Sequence, residues 1–327
     1  MPRIIPLYLL LSAVSGALAA PRIRIEAAAG ADTNITRAEG DEPRLEGALL
    51  RLIADIEDAR RLGDAVVGRF AYQAGAKHFF EHADEDVVFQ KVSAGVHLGV
   101  RPWLRPGLKL MVEDRTSRSP LRSRDYTRVT GGPRLGAQLG PVHLIGFADG
   151  ARLAYEPNPD YSATSLGGGL RFGLRLRPFA LSIQGLVARR EFDLDRTDDV
   201  RGIGGQIRYA GGVLASVGYD LTANLSTVTG AGFQRHHLHA SSTFPIGAGL
   251  LISLKGSLQR FFYEDAQRFS TAFLNEENRS SLTARLEWSL LDSWSMVANG
   301  GAWFSPFGGG VDFDRYTMML GLAFNQD

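Results

Sequence analysis

The feature that most constrains this chain is that its connections alternate in length. From Pro21 onward the sequence repeats one unit, roughly 12 to 16 residues of alternating character followed by a turn, with almost no 3.6-residue periodicity. Tight turns are predicted at Leu62-Gly63, Arg101-Pro102-Trp103, Gly140-Pro141, Pro178, Gly211, Pro245-Ile246-Gly247 and Asp292-Ser293. Longer polar links fall between them, at 38–42, 79–85, 117–123, 156–160, 193–198, 225–233, 265–276 and 308–312. A stack of two soluble sheets has no reason to sort its loops by parity. An antiparallel meander threaded through a membrane does, with tight turns on one side and longer loops on the other.

The units read as about sixteen strands, at 22–36, 43–59, 64–78, 86–100, 104–116, 124–139, 141–155, 161–176, 179–193, 199–210, 212–224, 234–245, 248–264, 277–292, 294–306 and 313–325. Glycine density blurs the boundaries between 199 and 245. A membrane strand needs about 9 to 11 tilted residues, so each unit is long enough to cross. Residues 1–19 read as a cleaved signal peptide, with Arg3 as the positive region, Ile4 to Val14 as the apolar stretch and Ala17-Leu18-Ala19 as the cleavage site. The expected organisation is thus a signal at 1–19 and one all-β domain at 20–327, exported and inserted as an antiparallel up-and-down barrel. After residue 19 no window reaches the ~20 uninterrupted apolar residues of a membrane helix.

The last strand carries the clearest face assignment. Tyr316, Met318, Leu320, Leu322 and Phe324 share one parity, and Thr317, Met319, Gly321 and Ala323 share the other. Successive side chains of a strand point to opposite faces, so one face is large and apolar with an aromatic at each end, as a lipid-facing strand requires. This strand resembles the C-terminal closing strand of Gram-negative outer-membrane β-barrels. The resemblance implies a porin-sized barrel in the outer membrane, and it implies that Tyr316, Leu320, Leu322 and Phe324 form the signal read by the barrel assembly machinery. The chain departs from that pattern by ending in Asn325-Gln326-Asp327 rather than on the aromatic.

Parity also separates the charges. Leu166, Leu170, Phe172, Leu174 and Leu176 alternate with Arg171, Arg175 and Arg177, and Leu282, Ala284, Leu286, Trp288 and Leu290 alternate with Thr283, Arg285, Glu287 and Ser289. An arginine on the lipid face costs about 2 to 4 kcal/mol at the midplane, so the basic residues are assigned to the lumen. Arg171, Arg175, Arg285, Lys255, Lys109, Arg134 and Glu287 are the expected pore-lining residues, with Arg69, Lys77, Lys91, Arg128 and Arg208 beside them. The acidic set is smaller: Asp55, Glu57, Glu113, Asp220 and Glu287. The strands near Val142 and Trp294 do not sort cleanly.

Excess positive charge in a wet channel favours anions, so the leading expectation is a pore for small polar or anionic solutes, passive or gated by a partner. The alternative is a non-enzymatic scaffold or conduit subunit of a trans-envelope machine for polysaccharide export, secretion or surface motility, with partner proteins of the same complex. His239-Ala-Ser241 has a His-x-Ser spacing that puts both groups on one face, yet no residue that would orient the histidine is evident from spacing. Two imidazoles on one face, His237 and His239, leave a metal incompletely coordinated unless a carboxylate arrives from a neighbouring strand. The expectation is therefore no enzyme, no cofactor and no metal. Asp193 to Asp199 lacks the glycine and terminal glutamate of a calcium loop. The absence of Cys removes thiolate chemistry, and a net charge of +1 without a dense basic run gives no reason to expect nucleic acid. Expected partners are membrane lipid and lipopolysaccharide, whose phosphates suit the basic link 115–124.

Overall fold

The fold was read from a computed structural model, which describes residues 20–35, 44–101, 103–118, 125–155, 159–247, 249–264, 279–305 and 314–326. The proposed signal peptide and the links at 38–42, 119–123, 265–276 and 308–312 lie outside the described residues. Sixteen antiparallel strands close on themselves in chain order. They are β1 Arg22–Asp32, β2 Gly47–Gly63, β3 Val66–Phe79, β4 Val87–Leu98, β5 Leu104–Ser117, β6 Tyr126–Leu139, β7 Val142–Tyr155, β8 Ala163–Leu176, β9 Phe179–Phe192, β10 Thr197–Ala210, β11 Leu214–Ser226, β12 Phe233–Gly247, β13 Leu250–Tyr263, β14 Ser280–Leu291, β15 Trp294–Phe304 and β16 Asp314–Gln326. The barrel is sealed where β1 pairs with β16, from Ile23 opposite Gln326 to Asp32 opposite Thr317. Every extensive contact between strands joins neighbours around the wall. No helix among the described residues is long and apolar enough to cross a membrane.

The strands follow the sequence pattern with shifts at their ends. β1 stops at Asp32 rather than 36, because the Asp32 carboxylate accepts the Asn34 backbone N–H at 3.1 Å and turns the chain. Ile35 then folds onto Leu49, Phe79, Ala28 and Met319 as a small buried cluster. The turn expected at Leu62-Gly63 falls at Asp64-Ala65 instead. A register shift between Arg61 and Gly63 lets β2 run on and pair Gly63 with Val66. The glycine-rich region resolves into β10 and β11, paired from Asp198 opposite Ser226 to Ala210 opposite Leu214.

The convex face is apolar, the reverse of a water-soluble protein. Leu50, Leu108, Leu135, Leu166, Leu170, Ile203, Val217, Leu282, Met318 and Leu320 are all exposed there. An apolar belt of this extent has to be covered, and closure of the sheet leaves no unpaired strand edge, which is the condition for spanning lipid. Arg201 is an exception on this face. It sits opposite Val187 and Ala223, four residues from the β10 start, close enough to the loop end for its head to reach the interface. Leu170 lies farther from either end. Leu170→Arg should therefore lower stability by about 2 to 4 kcal/mol, read from urea unfolding in lipid vesicles.

The two strands that did not sort by parity have an aromatic on the concave face under a guanidinium. In β7, Phe147 points inward with the Arg134 guanidinium carbon 4.8 Å above its ring. In β15, Trp303 points inward with Arg315 at 5.3 Å. Each cation covers a ring that would otherwise expose apolar surface to the lumen.

Candidate functional site: the lumen wall

Side chains three strands apart can meet only across the concave face, because neighbouring strands are about 4.8 Å apart. Arg24 of β1 makes this reach to Glu287 of β14, with nitrogen–oxygen distances of 3.0 and 3.2 Å. Arg285 of β14 reaches Glu26 of β1 at 2.8 Å and Glu287 at 3.1 Å. Glu26 also pairs with Arg51 of β2. Asn299 receives Arg285 at 2.9 Å, and Asn325 receives Arg24 at 2.8 Å. This network arches over Val297 of β15 and Ala323 of β16, both fully buried. The small face of the last strand thus has a structural reason: larger residues there would collide with the side chains that tie the seam. Nearer the loop end, Asp32 and Arg315 form a second pair, with side chains 0% and 3% exposed.

Elsewhere the wall is basic and less paired. Arg171, Arg175, Lys109, Lys255 and Arg134 all have their side chains on the concave face, as register requires: Arg171 faces Gln184, Arg175 faces Ala180, Lys109 faces Gly95 and Gly132, and Lys255 faces Ser241 and Thr283. Arg134 is bound to Asp149 at 2.8 Å. Arg171 and Arg208 bind only amides, Gln184 at 2.7 Å and Gln206 at 2.9 Å. Among the described residues no carboxylate pairs with Lys109, Arg175 or Lys255. Arg285 and Glu287, expected to line the lumen, stand on the concave face and pair with each other and with the seam. Tyr316, Leu320 and Leu322 are exposed on the convex face, while Phe324 packs edge-on against Trp294 at 5.4 Å between ring centres.

The histidine strand gains a partner that spacing could not supply. Asp220 of β11 lies opposite His237 of β12 in the ladder. Ser241 bonds Ser216 at 2.8 Å. Ser257, His237 and Asp220 have the connectivity of a nucleophile, base and orienting acid, with Ser257 Oγ 2.9 Å from His237 Nε2. However, His237 Nδ1 stands 3.7 Å from Asp220, beyond hydrogen-bond reach. Ser257 is also paired on both sides, with His239 and Ser281, so its strand offers no pair of free N–H groups to hold an oxyanion.

No protein-family model matches the sequence, and no curated protein does. Solved structures match across nearly the whole chain. Salmonella typhi OmpF, in complex with daunomycin, aligns with a TM-score of 0.54 at 8% identity, covering 93% of this chain and 97% of that one. A BenF-like porin from Pseudomonas fluorescens aligns with 0.53 at 8% identity over 95% and 100%. The chain has the fold of a porin-sized outer-membrane β-barrel. An anion-selective porin from Comamonas acidovorans gives 0.51 at 11% identity over 94% and 99%. At these identities the porin-sized barrel is shared as a fold, and the side chains of this lumen have to be read on their own terms.

Proposed function

We propose that this chain resides in the outer membrane and forms an aqueous pore that favours small anionic or polar solutes. The observation that supports this reading is the pairing along the lumen wall: Glu26 and Glu287 at the closing seam are bound by arginines, while Lys109, Arg171, Arg175 and Lys255 face the lumen without acidic partners. A barrel of about sixteen strands leaves a water-filled channel unless something fills it. Basic groups along such a channel concentrate anions and repel cations. The tight turns would face the periplasm. At the loop end, the basic link 115–124 would offer guanidinium groups to lipopolysaccharide phosphates, which they match well. The convex aromatic-flanked face of β16 would serve the assembly machinery.

The neutralised seam favours a second reading, a scaffold or conduit whose wall supports a partner rather than a solute stream. One experiment separates them. The refolded chain in a planar bilayer should give stable conductance steps with an anion-biased reversal potential under a salt gradient. A folded barrel that passes no current would reject the pore and leave the scaffold.

A further inference from the structure

We infer that Asp220, His237 and His239 form a divalent transition-metal site on the lumen wall, of the kind that takes Zn2+. One donor atom from each of the three lies within 4.8 Å of the others. Asp220 Oδ2 is 3.4 Å from His239 Nδ1 and 3.7 Å from His237 Nδ1. Two donors bound tetrahedrally to zinc at ~2.1 Å are about 3.4 Å apart, so both separations need little adjustment. Two further observations point the same way. His239 Nδ1 is buried and has no hydrogen-bond partner, although it is aimed at the carboxylate. His237 has its other nitrogen, Nε2, held by Ser257 Oγ at 2.9 Å, leaving Nδ1 turned to the same point. A second hydrogen bond of this type orients a ligating imidazole.

The backbone is cut away to seat these groups. A Cβ on Gly204 would strike the Asp220 carboxylate, and a Cβ on Gly218 would strike the His239 ring. Neighbouring strands therefore leave room for the acid and for one imidazole where any other residue would push them out. Two neutral imidazoles and one carboxylate make a borderline-hard donor set suited to zinc, nickel or copper, and they leave a fourth position open toward the lumen for water or a passing ligand.

The site can be tested without reference to conduction. The refolded full chain in detergent, titrated with Zn2+ alone in a calorimeter, should take up one equivalent at micromolar concentration or below. His239→Ala and Asp220→Asn should each weaken binding by at least about tenfold, since both remove a ligand. His236→Ala, whose side chain faces outward against Tyr219, should leave it unchanged. Each variant is first shown to be folded by heat-shifted gel migration. If Asp220→Asn fails that check, Ser257→Ala replaces it, with a smaller loss expected. Co2+ in place of Zn2+ should give the intense d–d absorption of a four-coordinate site. No stoichiometric uptake, an equal loss in His236→Ala, or the weak spectrum of the hexa-aqua ion would each overturn the assignment.

Discussion

Asp32→Ala should be among the most damaging single substitutions in the barrel, costing about 3 to 5 kcal/mol, the usual loss when one member of a buried ion pair is removed. The cost arises on the partner. Arg315 has a side chain only 3% exposed, gives two nitrogens to Asp32, and stands over the Trp303 ring. Without the carboxylate its charge stays buried and loses the acceptor that takes two of its nitrogens, and the Asn34 N–H that ends β1 loses its acceptor as well. Because Asp32 and Arg315 lie on β1 and β16, the loss falls on the pair that closes the sheet, so an opened seam should follow. Urea unfolding in lipid vesicles gives the free energy, and loss of heat-shifted migration reports the opening. A double replacement by apolar residues of similar size, Asp32→Leu with Arg315→Met, should recover much of the stability, because no unpaired charge then remains. If the single variant were as stable as the parent, the seam would be held by backbone pairing alone.

The strands and most of their faces were legible in the sequence because alternation is a local property. Leu166 to Arg177 sorts itself without knowledge of any neighbour. Closure could be inferred from the sixteenth strand, with its apolar and small faces. What escaped was everything that depends on register. Glu26 and Asp32 share parity with Arg24, Ala28 and Gly30, and that face of β1 could have been read as inward. Their roles could not, since Arg285 and Arg315 reach them only once β16 is laid against β1. Likewise His237 and His239 declared a shared face, but the carboxylate that completes the trio sits seventeen residues before His237, and only the β11–β12 pairing brings it opposite. Phe147 and Trp303 misled for a different reason. An inward aromatic looks like a lipid-facing one until the guanidinium covering it is known.

Reversing the unpaired charges of the wall should reverse the selectivity of the pore. In Lys109→Glu, Arg171→Glu, Arg175→Glu and Lys255→Glu combined, four positive charges become negative on a face that already carries Asp55, Glu57, Glu113 and Asp220 away from the seam. The parent wall attracts anions because its free cations stand in a confined aqueous space bounded by low-dielectric protein and lipid, where the field is focused rather than dissipated. The sign of the reversal potential under a salt gradient should change from anion-biased to cation-biased. Its size should shrink as salt is raised, because the screening length falls from about 30 Å at 0.01 M to about 3 Å at 1 M, and only ions passing close to the wall then sense it. The fold should tolerate the change, since none of the four side chains takes part in the ion network that ties β14 to β2. Arg285→Glu is the informative contrast: it places a third carboxylate in the arch beside Glu26 and Glu287 and should destabilise the barrel rather than retune it. A four-residue variant that conducts with the parent's anion bias would move the selectivity to residues other than these, and with it the reading of the basic wall as the part of the lumen that meets the solute.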